Sequence, residues 1–135
     1  MVVKWLLQEN DRHKALALQD LYAEEKLKLI APQILIIEVA SVLAKRCRRE
    51  ELTPGAAHRC FEQLLEDSPA LHSSEHLNRA AFRLAVEHRR PIYDCLYLAL
   101  ALDHDCDLVT ADEKFVTAMQ GAFPCVCLLK DYIKG

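Results

Sequence analysis

Glycine is nearly absent from this chain, with three residues in 135. A loop that cradles phosphate needs several glycines in fixed register, so neither a P-loop nor a dinucleotide fingerprint can be built. No apolar run approaches the roughly 18 residues of a membrane-spanning helix, and no signal-peptide pattern opens the sequence. The six cysteines (Cys47, Cys60, Cys95, Cys106, Cys125, Cys127) form no CxxC pair and no zinc-ligand spacing. Most lie in apolar runs, where a free thiol acts as a small hydrophobe, as suits a reducing, cytoplasmic compartment. A net charge of −3 excludes a generally basic nucleic-acid binder while leaving room for a local basic patch. No Ser–His or His–Cys pattern of a covalent hydrolase is evident.

What is present is a sequence that can fold. Hydrophobic residues make up 52% and charged residues 27% of the 135, which is enough for one domain, residues 1–135, with a substantial core. Met1 to Leu7 is apolar apart from Lys4 and reads as the tail of a buried strand, followed by a polar loop over Gln8 to Arg12. Ala15, Leu16, Leu18, Leu21 and Tyr22 recur at helical spacing within 13–26. Leu27 to Ala31 fits a short strand stopped by Pro32, which also suits a helix start. Ile34 to Ala44 is a strongly apolar helix running into the basic turn Lys45-Arg46-Cys47-Arg48-Arg49. Thr53-Pro54 opens another helix. Pro69 to His72 fits an edge strand, and Ser73 or Ser74 can cap a helix through Leu77, Ala81 and Leu84.

The richest stretch is Tyr93 to Phe115, YDCLYLALALDHDCDLVTADEKF. Asp94 opens a run from Cys95 to Leu102 that is apolar on every face, so this helix belongs between layers. Asp107 to Thr110 fits a short strand, and Asp112 follows where a helix N-cap belongs. Gly121 stops that helix, and Cys125 to Leu129 reads as the last strand before a short tail helix. Short strands alternating with helices predict an α/β fold: a three-layer α/β/α sandwich with a mainly parallel sheet. A strand's carboxyl end and the next helix's amino end meet at the edge where open α/β folds bind ligands. Asp94 and Asp112 both arrive there.

Glu38 is a third unusual acid, embedded in Ile34-Leu35-Ile36-Ile37-Glu38-Val39-Ala40 with no Lys or Arg three or four residues away. Burying a carboxylate is costly unless it is paired or coordinates a cation. A shared metal accounts for Glu38, Asp94 and Asp112 together, and carboxylate oxygens suit Mg²⁺ or Mn²⁺. Such an ion activates water and neutralises a phosphoryl group in transit. Thr110, one residue from Asp112 across Ala111, can bring its hydroxyl to the same place.

In this order and spacing, Val2-Val3-Lys4-Trp5-Leu6-Leu7, Pro32…Glu38-Val39-Ala40 and Tyr93-Asp94…Leu108-Val109-Thr110-Ala111-Asp112-Glu113-Lys114-Phe115 resemble the PIN-domain nucleases, most closely the VapC-type toxins of toxin–antitoxin pairs. The resemblance implies a Mg²⁺-dependent endoribonuclease with Glu38, Asp94 and Asp112 at acidic metal positions, acting on RNA as a homodimer and held in check by a cognate antitoxin protein. No membrane partner is implied. The family pattern also has an Asp at the end of the first strand, ahead of Val2. The expectation is therefore that the first strand is truncated, the natural chain starting upstream of Met1, or that this form is a catalytically incomplete PIN-like binding module.

Plainer readings stand beside these. Asp94 and Asp112 also fit as N-caps that suit the helix dipole, and Glu38 as a half-exposed or distantly paired residue. The runs Lys45–Arg49 and Arg79, Arg83, Arg89, Arg90 fit solvated helix ends before they fit a phosphate-binding face. His72 and His76 are four apart, but His72 precedes the predicted helix, against a zinc pair. Trp5 fits packing, and Cys125 and Cys127 fit a core strand.

Overall fold

The structure, a computed structural model, describes residues 12–132. The strand tail of 1–7, its truncated strand and Trp5 lie outside the described residues, as does all of the polar loop but Arg12. The residues gather into two compact units, one running to Leu71 and one from His72 onward.

In the first unit, α1 (Arg12–Ala23) buries Ala15 and Leu18, one face of the predicted amphipathic pattern. Strand β1 (Ile30–Pro32) pairs with β2 (Ala70–His72), and the Ala70 N–H donates to the Leu29 carbonyl at 2.9 Å just before the paired stretch. Pro32 therefore closes a strand instead of opening a helix. Helix α2 begins later and spans Leu35–Arg48. Its buried residues Leu35, Val39 and Leu43 are spaced by four, a single stripe facing the core. Lys45, Arg46 and Arg48 fill its last turn, where cations complement the helix dipole. Helix α3 (Pro54–Asp67) starts as the sequence predicts: Thr53 Oγ1 accepts the Ala56 N–H at 3.2 Å, and Pro54 occupies a position with no hydrogen bond to lose. At its far end, the Tyr22 hydroxyl donates to the Ser68 carbonyl at 3.4 Å, tying α1 to the loop after α3.

The second unit is organised around α5 (Ile92–Asp103). A 3₁₀ turn (Glu75–Leu77) leads into α4 (Asn78–His88), which packs along α5 in this unit's most extensive helix–helix contact. Neither Ser74 nor Leu77, at the starts of these two elements, makes a side-chain cap, so the predicted serine cap does not form. The turn out of α4 is made by Arg89 in the left-handed region, φ 54° and ψ 48°, where glycine is the usual occupant. Helix α5 buries Cys95, Leu96, Leu98, Ala99, Leu100 and Ala101, as expected of a helix without a polar face. It starts two residues earlier than Asp94, so the acid lies inside the first turn.

Strand β3 (Leu108–Thr110) pairs in parallel with β4 (Val126–Leu128), Leu108 opposite Val126 and Thr110 opposite Leu128. Helix α6 (Glu113–Met119) makes the crossover between them, and α7 (Leu129–Tyr132) follows β4 directly. The fold class is thus α/β, mostly helical with short strands. On β4 the inward residue is Val126, fully buried, whereas Cys125 and Cys127 are half-buried on the other face. The cysteines alternate as predicted, but with the opposite assignment to the core. Burial, and then the charge of Asp107, push the Cys106 and Cys125 thiols up, which favours their protonated form. Among the described residues no helix is long and apolar enough to cross a membrane.

Leu98 has no exposed surface, while Leu65 on α3 is 49% exposed. Leu98→Ala is therefore expected to destabilise the protein by about 2–5 kcal/mol, and Leu65→Ala by less than about 1 kcal/mol. Urea denaturation of the two variants checks the contrast.

Candidate active site

The parallel β3–β4 pair sends the carboxyl ends of both strands to one edge. From that edge β3 continues through Thr110 and Ala111 into Asp112, the N-cap of α6. Asp112 has an extended backbone, φ −85° and ψ 100°, and its Oδ1 accepts the Phe115 N–H at 3.2 Å. The Asp112 N–H in turn donates to Thr110 Oγ1 at 3.1 Å. Phe115 is buried, so the cap is anchored to the core on one side and to the strand end on the other. The sequence reading of Asp112 as an N-cap is correct, and the cap uses one carboxylate oxygen while the other stays available.

Helix α5 packs on β3 and brings Asp94 to the same place. Burial holds the Asp94 carboxyl above the usual carboxylate range, the negative charge of Asp112 raises it further, and Arg90 partly offsets both. Among the described residues nothing donates a hydrogen bond to the Asp94 carboxylate. The Asp94 carboxylate is therefore partly desolvated and feels the like charge of Asp112. Like charges so placed favour a divalent cation between them. The chemistry of the donor set, oxygen only, fits Mg²⁺ or Mn²⁺ in preference to a thiolate- or imidazole-seeking metal.

Of the four residues singled out from the sequence, Thr110 and Asp112 are joined by a hydrogen bond, and Asp94, in the same unit, feels the charge of Asp112. The contact of Thr110 with Asp112 is to its main-chain N–H. Glu38 lies in the first turn of α2 in the other unit and is half-buried. Among the described residues, no group of three His, Cys, Asp or Glu side chains converges to hold a metal by itself.

Sequence reading missed two features of this unit. Arg90, half-buried beside Asp94, was read only as part of a solvated basic run. Its position four residues before an acid at a helix start was the available signal. At the opposite end of α5, His76 Nε2 lies 3.3 Å from Asp103 Oδ2, and His104 Nδ1 lies 3.2 Å from the Leu100 carbonyl. The His72 ring meets His104 edge-on, with centroids 4.7 Å apart. These contacts fasten the 3₁₀ turn and β2's last residue to the end of α5, a structural use for the histidines.

Comparison with known proteins follows the same lines. Residues 1–118 match the family model described as "PIN domain". The chain is also similar to "Ribonuclease VapC3" of Pyrobaculum aerophilum, 38% identical over 79 residues, a stretch that makes up 57% of this chain and 60% of that protein. The match spans less than two thirds of that relative's length.

The raised carboxyl has a thermodynamic sign. A group whose folded-state pKa lies above its unfolded value contributes stability that is present below the unfolded pKa and lost as pH rises through the folded one. Asp94 thus destabilises the metal-free protein at neutral pH. Asp94→Asn is expected to melt above wild type in EDTA at pH 7, with the gap closing as the pH is lowered below the carboxylate range. Asp112→Asn, which keeps a capping side chain, removes a charge that raises the Asp94 carboxyl and is expected to lessen the destabilisation by Asp94. Asp112→Ala forfeits about 0.5–2 kcal/mol of cap. Calorimetric melting across pH reads all three.

Proposed function

The chain belongs to the PIN-domain family, and from that premise we propose that it is a metal-dependent endoribonuclease of the VapC toxin type. The observation that carries the proposal is the Asp94–Asp112 pair: two carboxylates delivered to one sheet edge, one held above its ordinary ionisation range by burial and by the other's charge. Asp94 and Asp112 would hold Mg²⁺ or Mn²⁺. The family resemblance of the Glu38-Val39-Ala40 setting supports Glu38 as a further acid of the kind such nucleases use. When bound, the ion would activate water and neutralise charge on an RNA phosphodiester.

The protein's own contribution is to fix and tune these oxygens. The Phe115 N–H locks the Asp112 carboxylate in one orientation, leaving Oδ2 to face a ligand. Thr110 holds the Asp112 main chain, so its part is positioning, with its own O–H left as a donor. Asp94 must be ionised to act, and its raised pKa makes cation binding proton-sensitive at a higher pH than an ordinary carboxylate would. Arg90 opposes that rise.

The resemblance further supports a cognate antitoxin and a homodimer. Phe82 and Val86, 65% and 61% exposed and one turn apart on α4, are an apolar pair of the kind that protein partners cover. A cytoplasmic setting fits six cysteines, none of which is in a disulfide.

Asp94→Asn is expected to abolish metal-dependent RNA cleavage, a loss of at least about a hundredfold, while the folded state is kept. Undiminished cleavage by that variant would overturn the assignment. Titration calorimetry with Mn²⁺ separates the enzyme from a non-cutting binding module. The enzyme is expected to bind Mn²⁺ with an affinity that falls as pH drops, and the module to give no heat of binding.

A further inference from the structure

Arg90 is the middle residue of the three-residue link Arg89-Arg90-Pro91 between α4 and α5, and Asp94 is the third residue of the helix that follows. Both therefore lie at the same end of α5. Three contacts fix the arginine. Its backbone N–H donates to the Ala85 carbonyl at 3.2 Å, the Arg89 left-handed turn sets its direction, and its Nε donates to the Arg89 carbonyl at 3.0 Å. The side chain is half-buried, and among the described residues no acceptor takes the remaining guanidinium N–H groups. Its charge is felt at both Asp94 and Cys95, yet it makes no ion pair with the acid it faces. Solvated surface arginines such as Arg79 and Arg83 on α4 show no comparable fixing among the described residues.

A guanidinium held by its own main chain, with its terminal N–H groups unused beside an acidic cation site, matches the geometry that binds a phosphate oxygen in a fork. We infer that Arg90 contacts a backbone phosphate of the RNA substrate and positions that phosphate over the Asp94–Asp112 pair. The inference rests on the ribonuclease reading and adds to it a positively charged substrate contact that the overall charge of −3 does not advertise. It also explains why Arg90 remains beside Asp94 without closing an ion pair: the group it serves arrives with the substrate.

The test is salt-dependent binding of a fluorescein-labelled, random-sequence single-stranded RNA pool to the full chain, followed by anisotropy with Ca²⁺ replacing Mg²⁺. Each phosphate contact on a single strand contributes about 0.7 to the slope of log affinity against log salt. Arg90→Gln is expected to weaken binding by about tenfold and to flatten the slope by about 0.7. Arg90→Lys is expected to keep the slope, because the charge remains, and to weaken binding because the fork is gone. Arg79→Ala, removing an exposed cation of α4, serves as comparator.

An unchanged slope in Arg90→Gln overturns the inference, as does an equal flattening in Arg79→Ala or an absence of RNA binding by the wild type. A variant that shifts the pH dependence of cleavage while leaving the slope alone would make Arg90 a group acting on Asp94, which also overturns it. If Arg90→Gln fails to fold, Arg90→Lys decides: binding equal to wild type overturns the inference. Asp94→Asn in the same series separates the two levels. Its cleavage reports on the ribonuclease reading and the Arg90 slope on this one, so either can fail alone.

Discussion

The second unit depends on the burial of a helix that has no polar side to turn outward. Helix α5 can satisfy itself only by being covered, with α4 lying along it and β3 and the 3₁₀ turn against it. At roughly 25 cal/mol for each Å² of apolar surface removed from water, its six buried residues dominate what holds these elements together. That packing also fixes the chemistry. An acid in the first turn of a covered helix is carried inward with it, partly desolvated, whether or not desolvation favours its charge. Asp94 is placed by its neighbours Cys95, Leu96 and Leu98.

Much of this was legible in the sequence, for reasons that differ element by element. The unbroken apolar run from Cys95 to Leu102 announced a buried helix, Thr53-Pro54 announced a helix start, and the position of Asp112 after Leu108-Val109-Thr110 announced a cap. Each signal is local, a matter of periodicity or of one side chain meeting one main-chain group. The departures arise where tertiary context decides. Pro32 is compatible with ending a strand or starting a helix, and pairing between β1 and β2 selects the strand. Asp94 suited a helix start, but two residues before it already accept helical geometry behind Pro91. The face of β4 that points inward depends on its neighbour in the sheet, and alternation alone cannot choose between Val126 and its flanking cysteines.

The candidate site was legible to the extent that its parts are local. The Thr110–Asp112 spacing places a hydroxyl beside an acid's main chain, and a close reader of the sequence can anticipate that. The nearness of Asp94 to Asp112 is a product of α5 packing on β3, and the involvement of Arg90 follows from a left-handed turn at Arg89 that no glycine advertises. A non-glycine residue in that region carries strain on the order of 1 kcal/mol or more. The two repelling acids and the strained turn lie at the same end of α5.

The parallel pairing of β3 with β4 has a consequence for how the site comes into being. Leu108 and Val126 are 18 positions apart (126 minus 108), so strand, helix and strand close as a local event, and Asp112 acquires its cap within it. Asp94 comes from outside that strand–helix–strand segment, on α5. The ionisation of Asp94 is thus an internal gauge of the packing of α5 on β3. In the folded protein burial, and then the charge of Asp112, hold the carboxyl above its ordinary range. A carbon chemical shift at this single side chain would follow the assembly of the unit in real time.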